Sequence, residues 1–223
     1  MRKLFVGVAT ALMLIPVVGL KGGALGATSE AGYTFAEHQP GDPRTPVTFS
    51  SCKPIRVQIN LDGVREKETA TKIVLSAMGE ASAISGLQLQ YVGPTQRRPR
   101  WPDETLTLEG GAWPVLVAWA TSAEVADLKG NAGLGGSTAF ALAGVQTYVT
   151  GEIALETNYW NHLLANGRDA DARAIVMHEL GHVIGLGHVQ DAHELMSAHG
   201  HGTLDYAAGD RRGLDLLGRG PCN

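Results

Sequence analysis

Four residues within one short stretch could do metal chemistry. Residues 178–188 read His-Glu-Leu-Gly-His-Val-Ile-Gly-Leu-Gly-His. His178 and His182 are four positions apart, so on a helix they lie about 40° apart on one face, with Cβ atoms roughly 6 Å from each other. Both imidazoles can then bind one ion, and zinc is the natural candidate for such a nitrogen set. Glu179 flanks the pair rather than joining it, which places its carboxylate beside a water in the open coordination position, as a base and not as a ligand. Gly185 can take the left-handed backbone angle that ends a helix and swings the chain around, so that His188 returns as a third ligand. The chemistry of such a set is hydrolysis. Zinc held by neutral imidazoles lowers the pKa of its water to about 7 and polarises a carbonyl, while Glu179 takes the proton and delivers it to the leaving group.

A helix carrying these groups must be held by other elements, and the hydrophobic pattern supplies them. Residues 55–60 alternate with period two and predict a first strand; Asp62-Gly63 leads into a helix over 64–85. On that helix Ile73, Val74, Ala77, Met78, Ala81 and Ile84 recur on one side, and Gly86 stops it. Residues 87–92 alternate again, and 115–119 form a continuous apolar run suited to an interior strand. Two further strands are expected at 138–149 and 152–156, split at Gly151, followed by the active-site helix from about 170 to 184 and a last helix near 209–217. Residues 28–51 are polar and punctuated by proline, so they read as an extended leader, with order beginning near Cys52. The sum is a mixed sheet backed by two helices, with a small C-terminal lobe.

The stretch 178–188 resembles the extended zinc signature of the metzincin metallopeptidases, and Met196, within His-Glu-Leu-Met-Ser, resembles the Met-turn beneath the zinc in that clan. The spacing from His188 to Met196 and the tail Gly209-Asp210-Arg211-Arg212-Gly213-Leu214 are most similar to matrixins, in particular short bacterial relatives. The resemblance implies an α+β catalytic domain over 52–223. Its twisted mixed five-stranded sheet has an antiparallel edge strand, a backing helix, the active-site helix and a C-terminal lobe. It implies an endopeptidase with one catalytic zinc on His178, His182 and His188 and Glu179 as base. An extended peptide would lie along the edge strand at Gly136, Ser137, Thr138 and Ala139. The chain departs from the pattern in three ways. No histidine occurs between His38 and His162, and Thr138 stands at a family histidine, so no second structural zinc is expected and structural calcium is unsupported. No cysteine-switch sequence precedes Cys52, and Met196 is followed by Ser197-Ala198 instead of an aromatic residue and proline.

Composition bounds the rest. With 223 residues, 44% hydrophobic and 18% charged, one domain with a sizeable core is expected. A formal net charge of -4 and a pI near 6.0 argue against nucleic acid as the main partner. Arg2-Lys3, the uncharged apolar run 4–20 and the small residues 22–27 match a secretory signal over 1–27; an uncleaved anchor is the alternative, although Pro16 and Gly19 interrupt the run. The expected product is a secreted, extracellular monomer, free of the membrane once the signal is removed. Cys52 and Cys222 are the only cysteines, and in an exported chain a disulfide is the economical reading. Two buried free thiols, or Cys52 as an inhibitory zinc thiolate, are the alternatives.

Other residues invite a functional reading that a structural one outweighs. His193, His199 and His201 suit a solvent-facing loop better than a second metal site, and Arg97-Arg98-Pro99-Arg100-Trp101 suits solvated surface better than an anion site. Trp113, Trp119 and Trp160 read as core, and Asp191 as a residue that could orient the ligand loop. Two rival functions remain at this level: a non-catalytic zinc-binding module, and a zinc hydrolase acting on a substrate other than protein.

Overall fold

The computed structural model describes residues 32–100, 113–142, 144–198 and 203–222. The predicted signal 1–27, Trp101, His199 and His201 lie outside them. Three short strands come first: β1 (Thr34–Phe35), β2 (His38–Gln39) and β3 (Asp42–Pro46). Order therefore does not begin near Cys52, as the polar, proline-rich composition of the leader had suggested. Residues 33–50 are woven into the domain, with Val47 and Phe49 in its core.

Next come β4 (Ile55–Asn60), the backing helix α1 (Lys67–Ser85), β5 (Leu89–Pro94) and β6 (Val115–Ala120). The hairpin of β7 (Gly133–Leu142) and β8 (Val145–Glu156) completes a sheet in the order β5-β4-β6-β8-β7. Pairing is parallel from β5 through β8, and β7 closes the edge antiparallel to β8. Every residue of β6 is buried, as its uninterrupted apolar sequence requires of a strand covered on both faces. Beyond the sheet lie α2 (Thr157–Ala165), the active-site helix α3 (Asp169–Ile184), the two-residue strand β9 (Leu186–Gly187) and α4 (Ala208–Leu217). Cys52 and Cys222 are joined with Cα atoms 5.0 Å apart, tying the start of β4 to the chain end after α4.

Boundaries differ from the sequence pattern for local reasons. Helix α1 begins at Lys67 rather than at 64, because Gly63 at φ 81 and the Asn60 side chain, which accepts from the Asp62 N–H at 2.8 Å, spend residues 61–66 on a turn. Strand β5 begins at Leu89 because the hydroxyls of Ser85 and Ser82 take the N–H groups of Leu87 and Leu89. The strand break expected at Gly151 lies instead near Gly144, at φ 85. Gly151 runs through the middle of β8, where a Cβ would strike the Gly136 carbonyl and the Ser137 hydroxyl, each at 2.6 Å. Helix α2 was not anticipated; Trp160, Leu163 and Leu164 form its buried face, and the Glu156 carboxylate accepts the Tyr159 N–H at its start.

Arg97 and Arg98 are not merely solvated surface, whereas Arg100 is exposed. Arg98 donates to the Trp119 carbonyl at the end of β6 and to Glu124 at 2.6 Å, while Arg97 donates to the Pro114 carbonyl and stacks over Trp113. Both guanidiniums clasp main-chain carbonyls at the two ends of β6. Trp119 and Trp160 are core, in edge contact at 5.0 Å, but Trp113 is exposed and serves as the platform for Arg97.

Candidate active site

Helix α3 carries His178, Glu179 and His182 on the side that faces β7 and the segments after it. The helix ends at Gly185, whose φ of 125 is open to glycine and strained for any other residue. Three residues later His188 meets the helix ligands. The three Nε2 atoms form a triangle: 3.1 Å from His178 to His188, 3.2 Å from His182 to His178 and 3.1 Å from His182 to His188. Four-coordinate zinc at about 2.0–2.1 Å from nitrogen sets its ligands roughly 3.3 Å apart, so the triangle is the right size.

Ring orientation makes the same point. His178 donates its Nδ1–H to the Leu195 carbonyl at 2.7 Å, and His182 donates its Nδ1–H to the Leu186 carbonyl at 2.8 Å. Each Nε2 then carries a bare lone pair, and lone pairs aimed at one another at this distance repel unless a cation lies between them. Burial drives the pKa of His178 down to about 4 and that of His182 well below its ordinary value, so both rings stay neutral. Among the described residues this is the one group of His, Cys, Asp and Glu side chains able to hold a metal ion.

Glu179, the residue after His178 on α3, is buried, and burial pushes its carboxyl up to about 8. Its room comes from β7. A Cβ on Gly133 would fall 2.8 Å from the Glu179 Cγ, and one on Gly135 would strike the Glu179 main chain. The stretch of β7 opposite Glu179 is therefore Gly133–Gly135, just before the predicted Gly136 to Ala139. Of those four, Ser137 donates to the Val183 carbonyl at 2.6 Å, and the ladder shifts register between Thr138 and Ala139.

Met196 is buried beneath the site, and its sulfur lies against Gly181, where a Cβ would come within 2.5 Å of it. The turn that carries it is held by two carboxylates that the sequence reading missed. Asp210 accepts from the N–H groups of Leu195, Met196 and Ala207, at 2.6, 3.2 and 3.0 Å. Glu194 in return accepts from Gly209 and Asp210 at the start of α4, at 2.9 and 2.8 Å. Burial pushes the Asp210 carboxyl up to about 6, against the three N–H donors that favour its charged form. An acidic residue at the start of a helix is visible in sequence, but its partners 14 and 15 residues upstream are not. Asp191 does not orient a ligand: it binds the backbone and ring of His193 on the surface.

Comparison with known families agrees with this geometry. Residues 116–215, from β6 to α4, match the matrixin family model. No curated protein matches the chain. With the matched span holding the histidine triangle, its glutamate and the Met-turn, the chain is a matrixin-like zinc metalloendopeptidase.

Proposed function

We propose that this chain is an exported endopeptidase in which Glu179 is the general base and acid and β7 receives the substrate. The reading rests on one observation above all, a buried Glu179 carboxyl that packs against Gly133 and directly follows His178, one of three convergent imidazoles. His178, His182 and His188 would hold the metal through Nε2, with Met196 packed beneath. When bound, zinc acidifies a water and polarises the scissile carbonyl. Glu179 then takes the water's proton and passes it to the departing amine nitrogen, a transfer suited to a carboxyl whose burial moves its pKa toward neutrality. A cation alongside favours its ionised form, so Glu179 accepts a proton in the loaded site.

Strand β7 is the antiparallel edge of the sheet, so the backbone groups on its outer side can pair with an extended peptide. Gly136, Ser137, Thr138 and Ala139 would contribute main-chain contacts, and the Gly133–Gly135 stretch would bring the scissile bond to Glu179. Secretion rests on the signal-like residues 1–27 and agrees with the Cys52–Cys222 disulfide. No described helix is long and apolar enough to cross a membrane. Residues 33–51 act as part of the catalytic unit and not as a removable leader. The deciding experiment is Glu179→Ala: bound zinc at the parent's level with peptide cleavage lowered roughly 10²–10⁴-fold is expected. Parent-like turnover by the purified variant would refute the role. Mass spectrometry of an unbiased peptide digest distinguishes an endopeptidase from a hydrolase of other substrates.

A further inference from the structure

We propose that Thr34 is a positioning residue for the third metal ligand: its hydroxyl, carried on the N-terminal strand, fixes the His188 backbone where its imidazole meets the other two. The inference rests on the zinc reading above.

The two helix ligands need little help from a distance, since α3 sets their Cα positions and near carbonyls set their rings. His188 lies past the helix end, where on one side the next residue, Val189, donates to the Met196 carbonyl at 3.0 Å. On the other, His188 follows a left-handed glycine and a strand of only two residues, a segment with no intrinsic geometry of its own. Strand β1 supplies that geometry. Thr34 pairs with Gly187 and Phe35 with Leu186, antiparallel, and the Ala36 N–H donates to the Gly185 carbonyl at 2.8 Å. The main-chain ladder runs out at Gly187. The Thr34 hydroxyl extends it by one residue, donating to the His188 carbonyl at 2.9 Å.

For this to position a ligand, the N-terminal segment must itself be fixed, and beyond β1 it is tied to β8. The Gln39 side chain mimics a strand partner, accepting from the Gln146 N–H at 2.9 Å and donating to the Gln146 carbonyl at 2.8 Å. Further along, the Thr48 carbonyl accepts the Tyr148 N–H. Close approach is arranged by absent side chains: a Cβ on Gly187 would sit 2.6 Å from the Thr34 hydroxyl, one on Gly209 would strike the Gly32 carbonyl, and one on Gly213 would meet Tyr33 at 3.1 Å. Glycine at three points on two different elements lets residues 32–35 lie between β9 and α4.

The test compares the full chain with Thr34→Val, which keeps the β-branched shape and loses the donor, and Thr34→Ser, which keeps the donor. Readouts are zinc stoichiometry, the rate of zinc release to a chelator, the absorption bands of the cobalt-substituted protein, and the urea midpoint of the metal-free protein. Thr34→Val should bind one zinc yet release it about 10- to 100-fold faster, with altered cobalt bands and a nearly unchanged metal-free midpoint. Thr34→Ser should match the parent. Gly187→Ala, whose new methyl displaces the hydroxyl, should copy Thr34→Val and serves if that variant folds poorly. Zinc release by Thr34→Val within about twofold of the parent overturns the proposal. So does equal loss in Thr34→Ser, or a metal-free midpoint that falls in step with retention, which would make Thr34 merely structural. A parent chain that takes up no zinc would instead overturn the zinc reading beneath it.

Discussion

The site has a helix half and a loop half, and they are held by different physics. His178, Glu179 and His182 occupy one helix, so the period of 3.6 residues places them before any tertiary contact forms. His188 and Met196 occupy irregular chain and owe their positions to residues remote in sequence: Thr34, 154 residues from His188, and Asp210, 14 residues from Met196. Half of a metal site can thus be built by periodicity, while the other half has to be built by the fold.

The sharpest way to break this comparison is to remove the anchor of the loop half alone. Asp210→Ala leaves three N–H groups without their acceptor, two of them on the Met-turn. The expected loss is about 3–5 kcal/mol of stability, with zinc released faster. Urea unfolding and chelator competition measure both, and a variant that unfolds at the parent's midpoint would deny Asp210 its anchoring role.

The second comparison stays inside the helix half. Gly133→Ala puts a methyl 2.8 Å from the Glu179 Cγ, with Glu179 supplying its three nearest atoms. The carboxylate must swing aside, and displacement by about 1 Å can lower turnover up to 100-fold. We expect kcat to drop about 10- to 100-fold with zinc content unchanged. Loss of zinc in proportion to activity would mean that β7 supports the ligands as well as the base.

Those two positions mark the limit of what sequence reveals. The convergence of the three histidines and the turning glycine were legible because each acts over ten residues or fewer. Strand β4 and helix α1 were legible from periodicity, β6 from its unbroken apolar run, and α3 from the spacing of its histidines. Gly133, Gly135, Gly151 and Gly181 were not, because a glycine that admits a neighbouring element is written like a glycine that makes a turn, and Gly151 was read as the latter. Thr34 lay hidden for a related reason: a polar residue in a proline-rich stretch carries no mark of the strand it will pair with. Arg97 and Arg98 looked like solvated charge because the carbonyls they clasp, Pro114 and Trp119, lie 17 and 21 residues away.

Acidity offers a milder probe. In metal-free protein the buried His178 ring titrates near 4, against about 6.5 in the unfolded chain. Between these values the unfolded chain binds a proton that the folded chain refuses, so stability falls as pH drops from about 6.5 toward 4, by up to about 3 kcal/mol from this ring. His178→Gln should flatten that part of the chelated protein's midpoint-against-pH profile. An unchanged slope would place the titration elsewhere.

The smallest effect is expected where the loop half carries a polar pair that looks functional. Asp191 stands three residues after His188 and grips His193 at 3.0 Å, a geometry that resembles a carboxylate orienting a metal ligand. Both side chains face solvent, His193 at 95% and Asp191 at 51% exposure, where an ion pair is weak and screened. The contact also points outward, whereas the rings of His178 and His182 are already oriented by backbone carbonyls. Asp191→Ala should therefore leave zinc release and kcat within twofold of the parent. A tenfold faster release from this variant, at an unchanged unfolding midpoint, would show that the surface turn and not β1 holds the third ligand.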